Sequence, residues 1–133
     1  MSMFVKQSEI RQESFEWGKV GWRSGATGSA QLVVMDVAVR PGEGHAFHRH
    51  PSQEEMIIVK AGQVEQWLEE EKETLRAGDA VYIDADVVHA SFNTGGETAH
   101  LQVVLAPVIA SEATGYEVVD VSGEAPWASL RER

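Results

Sequence analysis

Six short runs of strand-forming residues, spaced almost evenly and cut off by turns, constrain this chain more than any other feature of its sequence. Residues 31–39, Gln-Leu-Val-Val-Met-Asp-Val-Ala-Val, are rich in β-branched side chains, hold no helix breaker and stop at the turn pair Pro41-Gly42. Residues 55–60, 63–68, 80–83, 88–92 and 98–105 repeat the pattern, with Ala61-Gly62, Ala77-Gly78-Asp79 and Asn93-Thr94-Gly95-Gly96 as breaks between runs. No segment keeps a long helical period, so the expected fold is an all-β sandwich or barrel. Val64, Gln66 and Leu68 alternate with Glu65, Trp67 and Glu69, whereas residues 101–105 are almost continuously apolar and are expected to be buried on both faces. The acidic run Glu69 to Glu73 reads as a solvated hairpin tip.

At 133 residues and 43% hydrophobic content the chain suits one domain with one core. It has no repeat period and no low-complexity run. With 21 acidic against 11 basic side chains, its charge of −10 repels polyphosphate backbones and anionic lipid, so neither nucleic acid nor membrane is expected as a partner. The opening residues lack an apolar stretch of signal-peptide length, and a cytoplasmic location is the expectation. The absence of cysteine excludes disulfides, thiolate metal sites and a cysteine nucleophile. Nucleophile elbows, phosphate-cradling loops and dinucleotide fingerprints are also missing.

The chemistry concentrates in two stretches. In the first, His48 and His50 are two apart on extended chain and project to the same side. After the turn at Pro51-Ser52-Gln53, Glu55 starts a strand on which it shares a face with Ile57 and Val59. A carboxylate entering an apolar interior costs several kcal/mol, and a cation is the simplest compensation. In the second stretch, His89 sits in an apolar strand. Three imidazoles and a carboxylate form a donor set for iron, manganese, nickel, copper, cobalt or zinc, and a poor one for calcium. Alternation turns Glu54 outward and Arg49 away from the ion, toward an acidic neighbour. His45 reads as a loop or rim residue, and Asn93 as the residue that fixes the turn after the His89 strand. Met35, Phe47 and Trp67, large side chains near the two stretches, are candidate pocket residues, as are His100 and Gln102, which share one strand face.

At these residues the sequence resembles the cupin superfamily. Gly42, His48, His50, Glu55 and Gly62 meet its first motif in full, and Gly78, His89 and Asn93 meet the second, with Asp84 and Asp86 standing where the family usually has Pro and Gly. The resemblance implies a double-stranded β-helix, or jelly-roll, barrel over about residues 30–106. Residues 1–29 would then form a covering or edge segment, and residues 107–133 a tail packed outside. It further implies one divalent transition metal per chain on His48, His50, Glu55 and His89, with Glu55 also able to act as a catalytic base, and a homodimer. Dioxygenase or isomerase chemistry on a small polar molecule is the expectation; a non-catalytic ligand-binding or sensor barrel is the alternative.

Overall fold

A computed structural model describes residues 3–24, 29 and 31–131. The expected junction at residues 29–30 falls where residues 25–28 and 30 lie outside the described ones. The described residues form β1 (Arg11–Phe15), β2 (Gly18–Trp22), β3 (Val33–Val39), β4 (Gly44–Arg49), β5 (Glu54–Ala61) and β6 (Gln63–Leu68). β7 (Glu71–Arg76), β8 (Ala80–Ile83), β9 (His89–Phe92), β10 (Ala99–Ala106), β11 (Val119–Asp120) and a single-turn helix α1 (Trp127–Leu130) follow. No helix among them is long and apolar enough to cross a membrane.

The strands make two antiparallel sheets, a six-stranded one in the order β1-β2-β3-β10-β5-β8 and a five-stranded one in the order β11-β4-β9-β6-β7. This is the jelly-roll architecture of a double-stranded β-helix. All six expected strands are present. The aromatic N-terminal segment supplies β1 and β2 at one edge of the larger sheet, with Val20 opposite Val37 and Trp22 opposite Met35. The acidic run forms the β6–β7 turn and the exposed start of β7, and Glu69 adopts a φ of 52° there.

Side-chain alternation decides which faces meet. On β10, Leu101, Val103 and Leu105 are buried while His100 is exposed and Gln102 and Val104 are half-buried, so this strand buries one face more deeply than the other. Those three residues join Val33, Met35, Val39, Ile57, Val59 and Val64 in the core between the sheets. A second apolar cluster, Phe47, Trp67, Val88, Ala90, Val121 and Leu130, lies on the outer face of the smaller sheet under residues 121–130.

The C-terminal segment therefore has two parts. Its last ten described residues pack across the outside. Earlier, β11 pairs with β4, placing Asp120 opposite His48, and Gln53 ties the connection down by donating to the carbonyls of Pro107 (2.8 Å) and Gly115 (2.9 Å). Within this connection Val108 and Tyr116 pack against the core between the sheets, so this part of the tail does not lie wholly outside.

Candidate metal centre

β4 explains how His45 and His48 come to share a cavity. Its pairing with β9 runs Gly44 to Phe92, His45 to Ser91, then His48 to His89, so three steps on β4 match two on β9. An extra residue of this kind is a β-bulge, and it re-aims the side chains that follow it. His45 and His48 consequently both face inward although three apart, and Phe47 turns to the outer face. The two rings stack, with centroids 3.7 Å apart and planes 13° apart. His45 is thus a cavity residue and not a loop or rim residue, an outcome that strict alternation cannot yield.

His48, His50 and His89 offer ring nitrogens within 4.8 Å of one another, and all three rings are buried. Backbone carbonyls hold Nδ1 of each: Ala46 O for His48 (2.7 Å), Glu117 O for His50 (2.7 Å) and Val87 O for His89 (2.9 Å). Donation from Nδ1 leaves Nε2 of each neutral ring as a lone pair, the second-layer pattern of metal-binding histidines. Glu55 Oε1 lies 3.2 Å from His50 Nε2 and 2.8 Å from His89 Nε2, and none of these three buried atoms has a hydrogen bond of good geometry. Two lone pairs aimed at a carboxylate require positive charge between them, as a proton or a metal ion.

Electrostatics agree. Burial pushes Glu55 toward its neutral form, but the close approach of the His50 and His89 rings holds its pKa down at about 2. Burial lowers His89 too, yet the carboxylate of Glu55 raises it above its ordinary value. Burial keeps His48 well below the imidazole range and His45 at about 4, so both are neutral. The donor set of three imidazoles and one carboxylate fits a divalent transition ion. Exposed Glu54, by contrast, accepts from Tyr82 at the surface.

The departure from the second motif is absorbed locally. Asp86 adopts the left-handed conformation, φ 70°, at the position where the family usually has glycine. Its carboxylate receives Arg49 Nη1 at 2.6 Å and its N–H donates to His50 O at 2.9 Å, so the turn before His89 is tied to the histidine clamp. Asn93 fixes the following turn by donating to Val39 O and Glu97 O while accepting from Gly95 N.

A cavity of about 200 Å³ adjoins the histidines. His45, His48, Glu55, His89 and Ser91 make its polar end; Trp17, Trp22, Met35 and Tyr116 are among its apolar walls, and partly exposed Phe15 and Val118 mark its mouth. Of the expected pocket residues, Met35 is there. Phe47 and Trp67 are not: the bulge and the β6 alternation send them to the outer cluster, ring centroids 5.6 Å apart. His100 and Gln102 are not either, because Leu101 and Val103 take the inward positions of β10; Gln102 donates to Met35 O and Asp36 on the outside. Tyr116, Trp17 and Trp22 had no signal in local patterning that tied them to the motifs, since tertiary packing alone brings them to the site.

Comparison with known proteins gives this arrangement a family. The sequence profile of the cupin domain matches residues 35–105. SchB of Streptomyces halstedii is 38% identical over 105 residues, 78% of this chain and 76% of that protein. CurC of Streptomyces cyaneus, named a polyketide synthase, is 36% identical over 110 residues, 83% of this chain; the match spans 64% of CurC's length. Among solved structures, a sugar phosphate isomerase from a cupin superfamily of Silicibacter pomeroyi superposes with a TM-score of 0.70 at 19% identity, covering 77% of this chain and 74% of that one. The matched profile spans the three histidines and Glu55, the same residues that converge on one point of the barrel, and the chain belongs to the cupin family.

Proposed function

We propose that this protein is a metal-dependent enzyme, of oxygenase or isomerase type, acting on a small organic molecule with an apolar body and an oxygen-bearing end. The observation that carries the reading is the convergence of three Nε2 lone pairs and the Glu55 carboxylate at the polar end of an apolar cavity. A divalent transition ion held there would supply Lewis-acid or oxygen chemistry at coordination positions left to water or substrate. The residues around it do the rest. The walls exclude water, which strengthens every polar contact inside. Glu55 stays ionised beside the cavity, and a carboxylate released from its histidine contacts would be able to take a proton from a molecule bound beside it. The aromatic walls favour a planar, conjugated body over the small polar molecule suggested by the ligand set alone, and the likeness to CurC supports substrates from polyketide chemistry.

The test is the metal content of protein purified without a chelating tag, measured by elemental mass spectrometry beside the triple variant His48→Ala, His50→Ala, His89→Ala. The expected result is close to one iron, manganese, nickel or copper per wild-type chain and none in the variant. Glu55→Gln is then expected to abolish turnover while retaining part of the metal. A wild type that takes up no metal after reconstitution sinks the enzyme reading and leaves a ligand-binding barrel.

A further inference from the structure

We propose that the Tyr116 hydroxyl binds the substrate by donating a hydrogen bond to an oxygen of the molecule held at the metal, which makes the segment around Tyr116 a working wall of the site. The inference rests on the metal-enzyme reading above and adds to it a residue outside both cupin motifs.

The ring of Tyr116 lines the same cavity as His48, Glu55 and His89. It is fixed from two sides, by His50 at 5.0 Å between centroids and by the edge of Trp22 at 5.9 Å. The backbone around it is pinned as well. Gln53, only 1% exposed, donates to Gly115 O and accepts from Glu117 N (3.0 Å), while His50 Nδ1 donates to Glu117 O. Gly115 has a φ of +76°, and a Cβ there would come within 2.8 Å of Val108, so the approach to Tyr116 is closely determined. A histidine of the metal cluster and the residue after Tyr116 therefore share a hydrogen bond, which couples the position of the wall to that of the cluster.

With its ring so constrained, the hydroxyl makes no hydrogen bond among the described residues. Tyr116 is half-buried and lines the cavity, where a bound molecule could supply the partner that its O–H lacks within the protein. The other hydroxyl at the cavity, Ser91 Oγ, is already committed to Gln66 Oε1 at 2.6 Å. A phenol is protonated at neutral pH and can act as a donor. The ligand chemistry that answers this geometry is a planar conjugated molecule with adjacent oxygens, as in an enol, a phenol or a diketone. One oxygen would meet the metal and the other would accept from Tyr116, with the ring or conjugated chain against Trp17 and Trp22.

The full chain loaded with cobalt, titrated with 4-nitrocatechol as a planar metal-binding diol, provides the test. Tyr116→Phe keeps the ring and removes only the donor. Its affinity for 4-nitrocatechol is expected to fall about tenfold, with cobalt stoichiometry, cobalt spectrum and melting temperature unchanged. Equal affinities at full cobalt loading overturn the role of Tyr116 and leave the metal reading standing. A wild type without cobalt overturns both. A second measurement keeps the native hydroxyl. The chain has two tyrosines, so 3-fluorotyrosine in a Tyr82→Phe background reports on position 116 alone. In the zinc-loaded protein its fluorine resonance is expected to move saturably with 4-nitrocatechol; a resonance that stays put overturns the proposal.

Discussion

Three neighbouring strands of the smaller sheet send His48, His89, Ser91 and Gln66 to the inner face and Phe47, Ala90 and Trp67 to the outer, and every one of these side chains is buried. The inner residues are held by directed hydrogen bonds, such as Ser91 to Gln66 and the Nδ1 contacts of His48 and His89 to backbone carbonyls. Area and shape do most of the holding on the outer face, where Leu130, Val121 and Trp127 close over the aromatic pair. A buried polar group must be satisfied to be tolerated, whereas a buried apolar one need only be packed. The same sheet thus carries the candidate metal cluster on one side and an apolar, stabilising cluster on the other, because the C-terminal segment covers the side that would otherwise face water.

The sharpest way to break this division is Trp67→Ala. Removing the indole from the outer cluster is expected to cost about 3–5 kcal/mol in urea denaturation, with metal bound per folded chain unchanged. Metal loss from protein that remains folded would show that the two faces are not separable.

A smaller effect is expected where the faces meet, at the turn before His89. Asp86→Ala forces a Cβ-bearing, non-polar residue to keep φ 70° and deletes the partner of Arg49, and is expected to destabilise by about 1–2 kcal/mol in thermal melts. Asp86→Gly loses the ion pair but fits the backbone, and is expected to stay within about 0.5 kcal/mol of wild type. Equal losses in the two variants would show that the pair, and not the backbone, holds the turn.

The smallest effect belongs to the outer face of the larger sheet, which carries charge in place of an apolar cover. There Asp36 accepts from Arg23 and Gln102. The bond from Arg23, against the opposing effect of burial, holds the Asp36 carboxyl below its ordinary value of 3.8. A depressed carboxyl adds stability that is present above its ordinary value and lost as pH falls below it. Asp36→Asn is therefore expected to cost about 0.5 kcal/mol at neutral pH in low salt, and the difference from wild type should close as pH drops under 3.8. A difference that persists into acid would assign the effect to packing.

Much of the site was legible because it is local. His48 and His50 lie two apart on extended chain, Glu55 opens a strand after a short turn, and His89 sits in a run that could only be a strand; such spacings survive folding because the strand period is short and fixed. Periodicity could not identify the pocket walls. Both faces of the smaller sheet are buried, so Phe47 and Trp67 looked as fit to line a cavity as Met35 does. One inserted residue in β4 was enough to bring His45 inside. His100 and Gln102 share a face that alternation alone could set inward or outward, and the core positions of Leu101 and Val103 turn it outward.

By itself, then, the sequence determined an all-β fold, the placing of His48, His50 and Glu55 together and the exclusion of thiol chemistry, because each follows from residue type and short-range spacing; that His89 joins them was implied by the resemblance to the two cupin motifs, and the pairing of β4 with β9 brings it there. The tertiary structure decided which aromatic groups surround that cluster. Trp17 and Trp22 arrive through the edge pairing of β2 with β3, and Tyr116 through a segment clamped by Gln53 from more than 60 residues away in sequence. Contacts of that range depend on the summed packing of two sheets and a covering segment, and no local pattern encodes such a sum.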